Sequence, residues 1–215
     1  MQKSLRVILG LSLCGLLLSA CATSVNLERY SLVGDCQAAA FKHPGNISLR
    51  LSPQLNDGGI VMRTGEHTLV SAQSHRWALP LNEQLTTLFH QVLLDYKAEH
   101  PQLAATVDKM HYEILVTAFQ GNNDGQAEVS ALFTLKDASG QARLKVESDA
   151  KRALRADGYS ALCTALEVGF IDISRKFVAT TTQYLQSLST PTNLQRKLPL
   201  LRERPSSPPA LKQSR

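Results

Sequence analysis

The sequence predicts an α+β domain, a mainly antiparallel sheet with two amphipathic helices packed on one face. Short segments with period-two alternation are separated by Gly, Asn and Asp clusters, as strands and turns require. Two longer segments carry apolar residues at helical spacing. Their order (strands, helix, three-strand meander, helix) places both helices against one sheet face.

The N-terminus precedes this domain. Lys3 and Arg6 lead into an apolar run from Val7 to Ala20, which ends in Leu18-Ser19-Ala20-Cys21. As a helix this run reaches roughly 21 Å, short of the ~30 Å hydrocarbon core. It reads as a signal peptide over residues 1–20, and the small residues before Cys21 mark a lipoprotein cleavage site. Cys21 is therefore the expected lipidation site, its sulfur taking a diacylglyceryl group as a thioether. A generic signal in which Cys21 is incidental is the alternative. Two or more acyl chains give a stable anchor. Ala22, not Asp, follows the cysteine, a pattern similar to lipoproteins sorted to the outer membrane on its periplasmic face.

Residues 21–27 are expected to form a lipidated tether, and the domain spans 28–188. Arg29–Val33 reads as a first strand ended by Gly34-Asp35, and Asn46–Leu51 alternates as a half-buried second. Pro53 and Asn56–Gly59 interrupt it. Ile60–Arg63 resumes as a strand, with His67–Val70 as its hairpin partner. Pro80 opens a helix in which Leu81, Leu85, Leu88, Phe89, Val92 and Tyr96 share a stripe, while Glu83, Gln84, Gln91 and Asp95 face away. Pro101 stops it. In His111–Gln120 the alternation sets Tyr112, Ile114, Val116 and Ala118 on one face. Gly121–Gly125 turns the chain into Ala127–Lys136, and Asp137–Gly140 turns it again into Ala142–Ala150. The last helix runs from Tyr159 to Leu188 with Asp157 at or beside its N-cap; its stripe is Leu162, Leu166, Phe170, Ile173, Phe177, Tyr184, Leu185 and Leu188. Residues 189–215, with five prolines, read as a disordered Pro/Ser/basic tail.

Charge follows these boundaries. The chain carries +5 overall. Lys3 and Arg6 account for two of these charges. The tail holds Arg196, Lys197, Arg202, Arg204, Lys212 and Arg215 against Glu203, a further +5, so the domain is left near −2. No basic stripe interleaved with aromatics marks a nucleic-acid surface. Cys14 leaves with the signal and Cys21 takes lipid, so Cys36 and Cys163 remain in an oxidising compartment. A disulfide between them is the favoured reading, two buried free thiols the main alternative, and a nucleophilic or redox thiol a third. Closing so long a loop is worth about 5 kcal/mol in the chain-entropy model.

Tyr30-Ser31-Leu32 soon after the lipidated cysteine, then Ile60-Val61-Met62-Arg63, then Arg76-Trp77-Ala78-Leu79-Pro80-Leu81 before an amphipathic helix, together resemble the PqiC-like family. These are auxiliary lipoproteins of ABC-type transport systems that work with MCE proteins. In that family a Tyr-x-Leu strand, an Ile-Val-x-Arg strand and a Trp-Ala-Glu-Pro-Leu helix opening recur in this order; this chain has Leu79 where the pattern usually has Glu. The resemblance covers about residues 28–188. It implies docking to an MCE-domain periplasmic protein whose system includes an inner-membrane permease, support of envelope integrity, possible assembly as a ring-forming homo-oligomer, and no ATPase activity of its own.

Trp77, the sole tryptophan, stands just before a helix, where it caps the core or anchors a partner. Arg63 and Arg76 are either solvated surface residues or contacts to a partner or phospholipid headgroup. His43, His67, His75, His90, His100 and His111 form no i, i+4 ligand pair, and no Gly-x-Ser-x-Gly elbow or phosphate-binding loop occurs. No catalytic site, metal or cofactor is expected. A cofactor of a cell-wall synthase or secretion pore is the alternative function, and a periplasmic hydrolase a third.

Overall fold

The computed structural model describes residues 26–33 and 45–189. Its strands are β1 (Glu28–Tyr30), β2 (Ile47–Leu51), β3 (Gly59–Gly65), β4 (Thr68–Trp77), β5 (His111–Asn122), β6 (Gln126–Lys136) and β7 (Ala142–Ala153). Three α-helices accompany them: α1 (Leu81–Glu99), α2 (Ala104–Val107) and α3 (Tyr159–Ser189). All seven strands join one sheet in the order β1-β4-β3-β5-β6-β7, with β2 also against β5.

Alternation builds the centre of the sheet. Along β6, Ala127, Val129, Ala131, Phe133 and Leu135 are buried beneath the helices, and the residues between them lie half-buried on the outer face. Gly125 (φ +68°) and Gly140 (φ +81°) supply the left-handed positions in the turns on either side. In β5 the alternation slips. Val116 pairs with Ala131 but Ala118 pairs with Ser130, so Thr117 is an extra residue. Beyond that bulge the inward side changes phase, and Phe119 is buried where Ala118 is expected.

The sheet is mixed, not mainly antiparallel. β3–β4, β5–β6 and β6–β7 are antiparallel, while β1–β4, β2–β5 and β3–β5 are parallel. β2 lies along Tyr112–Val116 and β3 along Gln120–Asn122 of the same side of β5. They act as one strand interrupted by the 3-10 turn Pro53–Leu55 and the Asp57–Gly58 corner. A local pattern identifies strands but not their partners, which is why the parallel pairings escape it.

Several elements differ in extent. β1 covers only Glu28–Tyr30, although Leu32 and Val33 just beyond it are buried. β4 continues past Val70 to Trp77, with an irregular stretch between Ser71 and Arg76. A third, short helix, α2, follows the turn at Pro101. α3 begins at Tyr159 after Gly158 (φ +98°), and Asp157 stands one residue before that glycine.

Helix α3 packs on β6 and β7, and α1 packs on β2 and α3. Phe89, Phe133 and Phe177 unite the two layers; the rings of Phe133 and Phe177 stack at 4.8 Å, and Phe89 meets Tyr112 edge-on at 5.6 Å. Gly169 lets α3 approach closely, since a Cβ there would lie 3.1 Å from Val129 Cγ2. The stripes expected for both long helices are buried from Leu81 to Tyr96 and from Leu162 to Phe177, with Leu185 continuing the second. Gln84 is the exception to the expected polar face, and it is fully buried.

Candidate functional site

Trp77 and Arg76, two of the residues singled out in the sequence, lie where β1, β3 and β4 meet the start of α1, whereas Arg63 stands toward the other end of β3. Trp77 is buried against Phe119, ring centroids 5.8 Å apart, and its backbone N–H donates to Gly58 O at 2.9 Å. Its place is therefore in the core at the helix entry, and the indole is closed to an incoming partner. Gln84 explains how the corner is held. Its Oε1 accepts from Leu32 N at 2.7 Å and its Nε2 donates to Leu79 O at 2.9 Å, joining the segment after β1 to the segment before α1. Arg76 donates to Asp57 O and so braces the β2–β3 corner.

Arg63 lies on the outer sheet face, at 3.4 Å from Glu128. Glu128 gathers charge and hydrogen bonds from three strands: Arg63 of β3, Gln120 and Asn122 of β5 at 3.2 and 3.3 Å, and Lys151 of β7 at 3.0 Å. Burial alone pushes its carboxyl up, but the hydrogen bonds from Lys151, Gln120 and Asn122 outweigh this and hold it below the usual carboxylate range. The sequence reading missed Glu128, yet a signal existed. The Asp137–Gly140 turn fixes the β6–β7 register and so sets Glu128 opposite Lys151.

A second polar cluster joins β1, β4 and α3. The Tyr30 hydroxyl donates to Glu28 at 2.5 Å and lies 3.2 Å from His75 Nδ1. The His75 ring stacks on Tyr159 at 3.9 Å. The hydrogen bond to Glu28, then burial, pushes the Tyr30 hydroxyl up to about 12. One turn into α3, Cys163 is buried and has no disulfide partner among the described residues. Burial, reinforced by Glu167, pushes its thiol up to about 12, so that whenever it is reduced it stays protonated and is a poor nucleophile. Its expected partner Cys36 lies outside the described residues, as does the lipidation site Cys21.

The larger cavity, about 640 Å³, lies between α1 and α3 and is lined by Tyr96, Glu99, Arg175 and Thr182. A smaller one, about 340 Å³, lies between the β5–β6 hairpin and the start of α3, with Met62, Gly121 and Leu162 as its apolar wall. Among the described residues, no group of His, Cys, Asp and Glu is placed to hold a metal ion. None of the described helices is long and apolar enough to cross a membrane. What the arrangement offers is surface: one sheet face rich in paired charge, and a long sheet edge at β7.

Two solved structures share this fold. One is the crystal structure of an uncharacterized protein, 23% identical, covering 63% of this chain and 88% of that chain with a TM-score of 0.55. Another is a Xanthomonas campestris protein of the DUF330 family, 14% identical, covering 67% of this chain and 86% of that chain with a TM-score of 0.54. No curated protein matches the sequence. The family of ABC-type transport auxiliary lipoprotein components matches residues 48–178, from β2 well into α3. The chain belongs to that family, whose members serve transport systems as accessory components.

Proposed function

We propose that this chain is an outer-membrane-anchored periplasmic lipoprotein that docks the MCE-domain component of an ABC-type lipid transport system and so supports envelope integrity. The match of residues 48–178 to the auxiliary lipoprotein family carries this reading. The Leu18-Ser19-Ala20-Cys21 motif supports it by giving the anchor a chemical basis. In this proposal residues 1–20 are removed, Cys21 carries the acyl chains, 21–27 form the tether, 28–188 form the docking domain and 189–215 form a free tail. The permease of the system stays in the inner membrane. Self-assembly of the domain would multiply its docking surfaces.

No ATP hydrolysis is assigned to this chain. Its part is to hold a binding surface at the membrane, where tethering raises local concentration and restricts orientation. Replacing Cys21 removes the sulfur that accepts lipid. Cys21→Ser should therefore leave an uncleaved precursor that fails to support envelope integrity, while the intact mass of the wild-type protein includes acyl groups. Crosslinking in membranes should recover an MCE-domain protein. Recovery of a cell-wall synthase or secretion pore in its place would overturn the docking assignment.

A further inference from the structure

β7 is a long terminal strand of the sheet, paired with β6 along one side and with no strand on the other among the described residues. That side presents a row of main-chain N–H and C=O groups, the template onto which an extended polypeptide adds as a further strand. Beside its C-terminal end runs a groove of about 420 Å³. Ala161, Ala165 and Val168 of α3 form its floor, and Lys151, Arg152 and Arg155 line its other side. The alanines leave room, while Val168, 40% exposed, offers an apolar contact.

Charge decides the occupant. The groove is lined by three cations and by no carboxylate among the described residues. Lys151 and Arg152 are partly compensated from outside it, by Glu128 and Asp172 respectively. Arg155 is exposed and meets no acceptor among the described residues. We propose that the β7 edge and this groove form a docking site for an extended, acidic segment of a partner protein. The segment adds to β7 through its main chain, sets small or apolar side chains over Ala161 and Ala165, and brings carboxylates to Arg155 and Lys151. A phospholipid would satisfy the cations but leave the strand's peptide groups unused, so a polypeptide fits more of the surface. The inference rests on the reading that this chain docks a protein.

The test uses the full chain in detergent with a fluorescein-labelled peptide of alternating valine and glutamate. A valine and lysine peptide and phosphatidylglycerol vesicles serve as comparisons. Saturable anisotropy with the glutamate peptide should coincide with slowed hydrogen exchange along β7. Arg155→Glu, which reverses an exposed charge, should weaken binding roughly tenfold. Thr164 also lines the groove, and Thr164→Glu, which adds bulk and a negative charge there, should weaken binding at least as much while the melting temperature stays unchanged. The proposal is overturned if the lysine peptide binds as tightly, or if neither substitution changes the affinity. It is equally overturned if vesicles alone protect β7, or if the protection depends on protein concentration without peptide, which would mark the edge as a contact between copies. Loss of MCE recovery from membranes, with peptide binding intact, would sink the proposed transport partner and leave this site standing.

Discussion

Gln84 is the side chain on which the corner around Trp77 depends, and removing its amide should cost more than its size suggests. It is fully buried and holds Leu32 N–H and Leu79 C=O at once. Gln84→Leu keeps the volume and leaves both main-chain groups without a partner. An orphaned buried donor costs about 1–3 kcal/mol. Leu79 O is nearer the surface and is partly rescued by water, so its share falls at the low end. The total should be roughly 2–4 kcal/mol, or about 6–12 °C in melting temperature for a domain of this size. Gln84→Glu separates hydrogen bonding from packing. When protonated it still donates to Leu79 O and accepts from Leu32 N–H. Burial raises its folded pKa above the unfolded value of about 4.3. Its stability relative to wild type is then fully present below about pH 4. Above that it falls by about 1.4 kcal/mol per pH unit, until pH passes the folded pKa. Urea titrations of the three proteins between pH 3.5 and 8 measure both effects. A Gln84→Leu protein within 0.5 kcal/mol of wild type, or a Gln84→Glu difference that does not grow with pH, would refute the bridging role.

Three further outcomes are expected. We propose that Cys36 and Cys163 are oxidised together, so alkylation of unfolded, unreduced protein should modify neither; quantitative modification of both would sink the pairing. Glu128→Gln should destabilise by about 1 kcal/mol at neutral pH, because partners as exposed as Arg63 and Lys151 are screened by solvent. The Glu128 carboxyl is held below its ordinary range, so this difference should be full above about pH 5 and vanish as pH falls through the lowered pKa, as denaturation of both proteins in acid would reveal. Truncation after Ser189 should leave the melting temperature within a few degrees, since the proline-rich tail has little to bury; lost soluble expression would show that it packs on the domain.

How far the sequence could be read follows from what local pattern encodes. Period-two alternation identifies β6 completely, and helical spacing finds the buried stripes of α1 and α3, because each reports one face of a single element. Pairing is a property of two segments. Nothing within Ile47–Leu51 says that its neighbour is Tyr112–Val116, sixty-five positions on and parallel. Thr117 looks like an ordinary alternating residue, yet as a bulge it turns Phe119 inward. Gln84 is assigned to solvent by polarity alone, since its two main-chain partners lie in segments that the helix pattern does not include. The same limit applies at the candidate sites. Arg63, Arg76 and Trp77 can be picked out from a family-like motif, but the groove beside β7 exists only after α3 has folded back across the sheet.

The interrupted strand formed by β2 and β3 has a consequence for the order of assembly. β5, β6, β7 and α3 are contiguous in the chain and connected by short turns, so their contacts close small loops. β2 and β3 can find β5 only after the whole of α1 and α2 has been spanned, a far larger loss of chain freedom. We expect the C-terminal half to nucleate and the N-terminal strands to zip on last. Pulsed hydrogen exchange should find β6 amides protected before those of β2; the reverse order would refute this. In the exported, anchored form that we propose, the segment nearest the anchor would be the first to emerge and the last to settle, so that during maturation the tether would be joined to the part of the molecule that is still open.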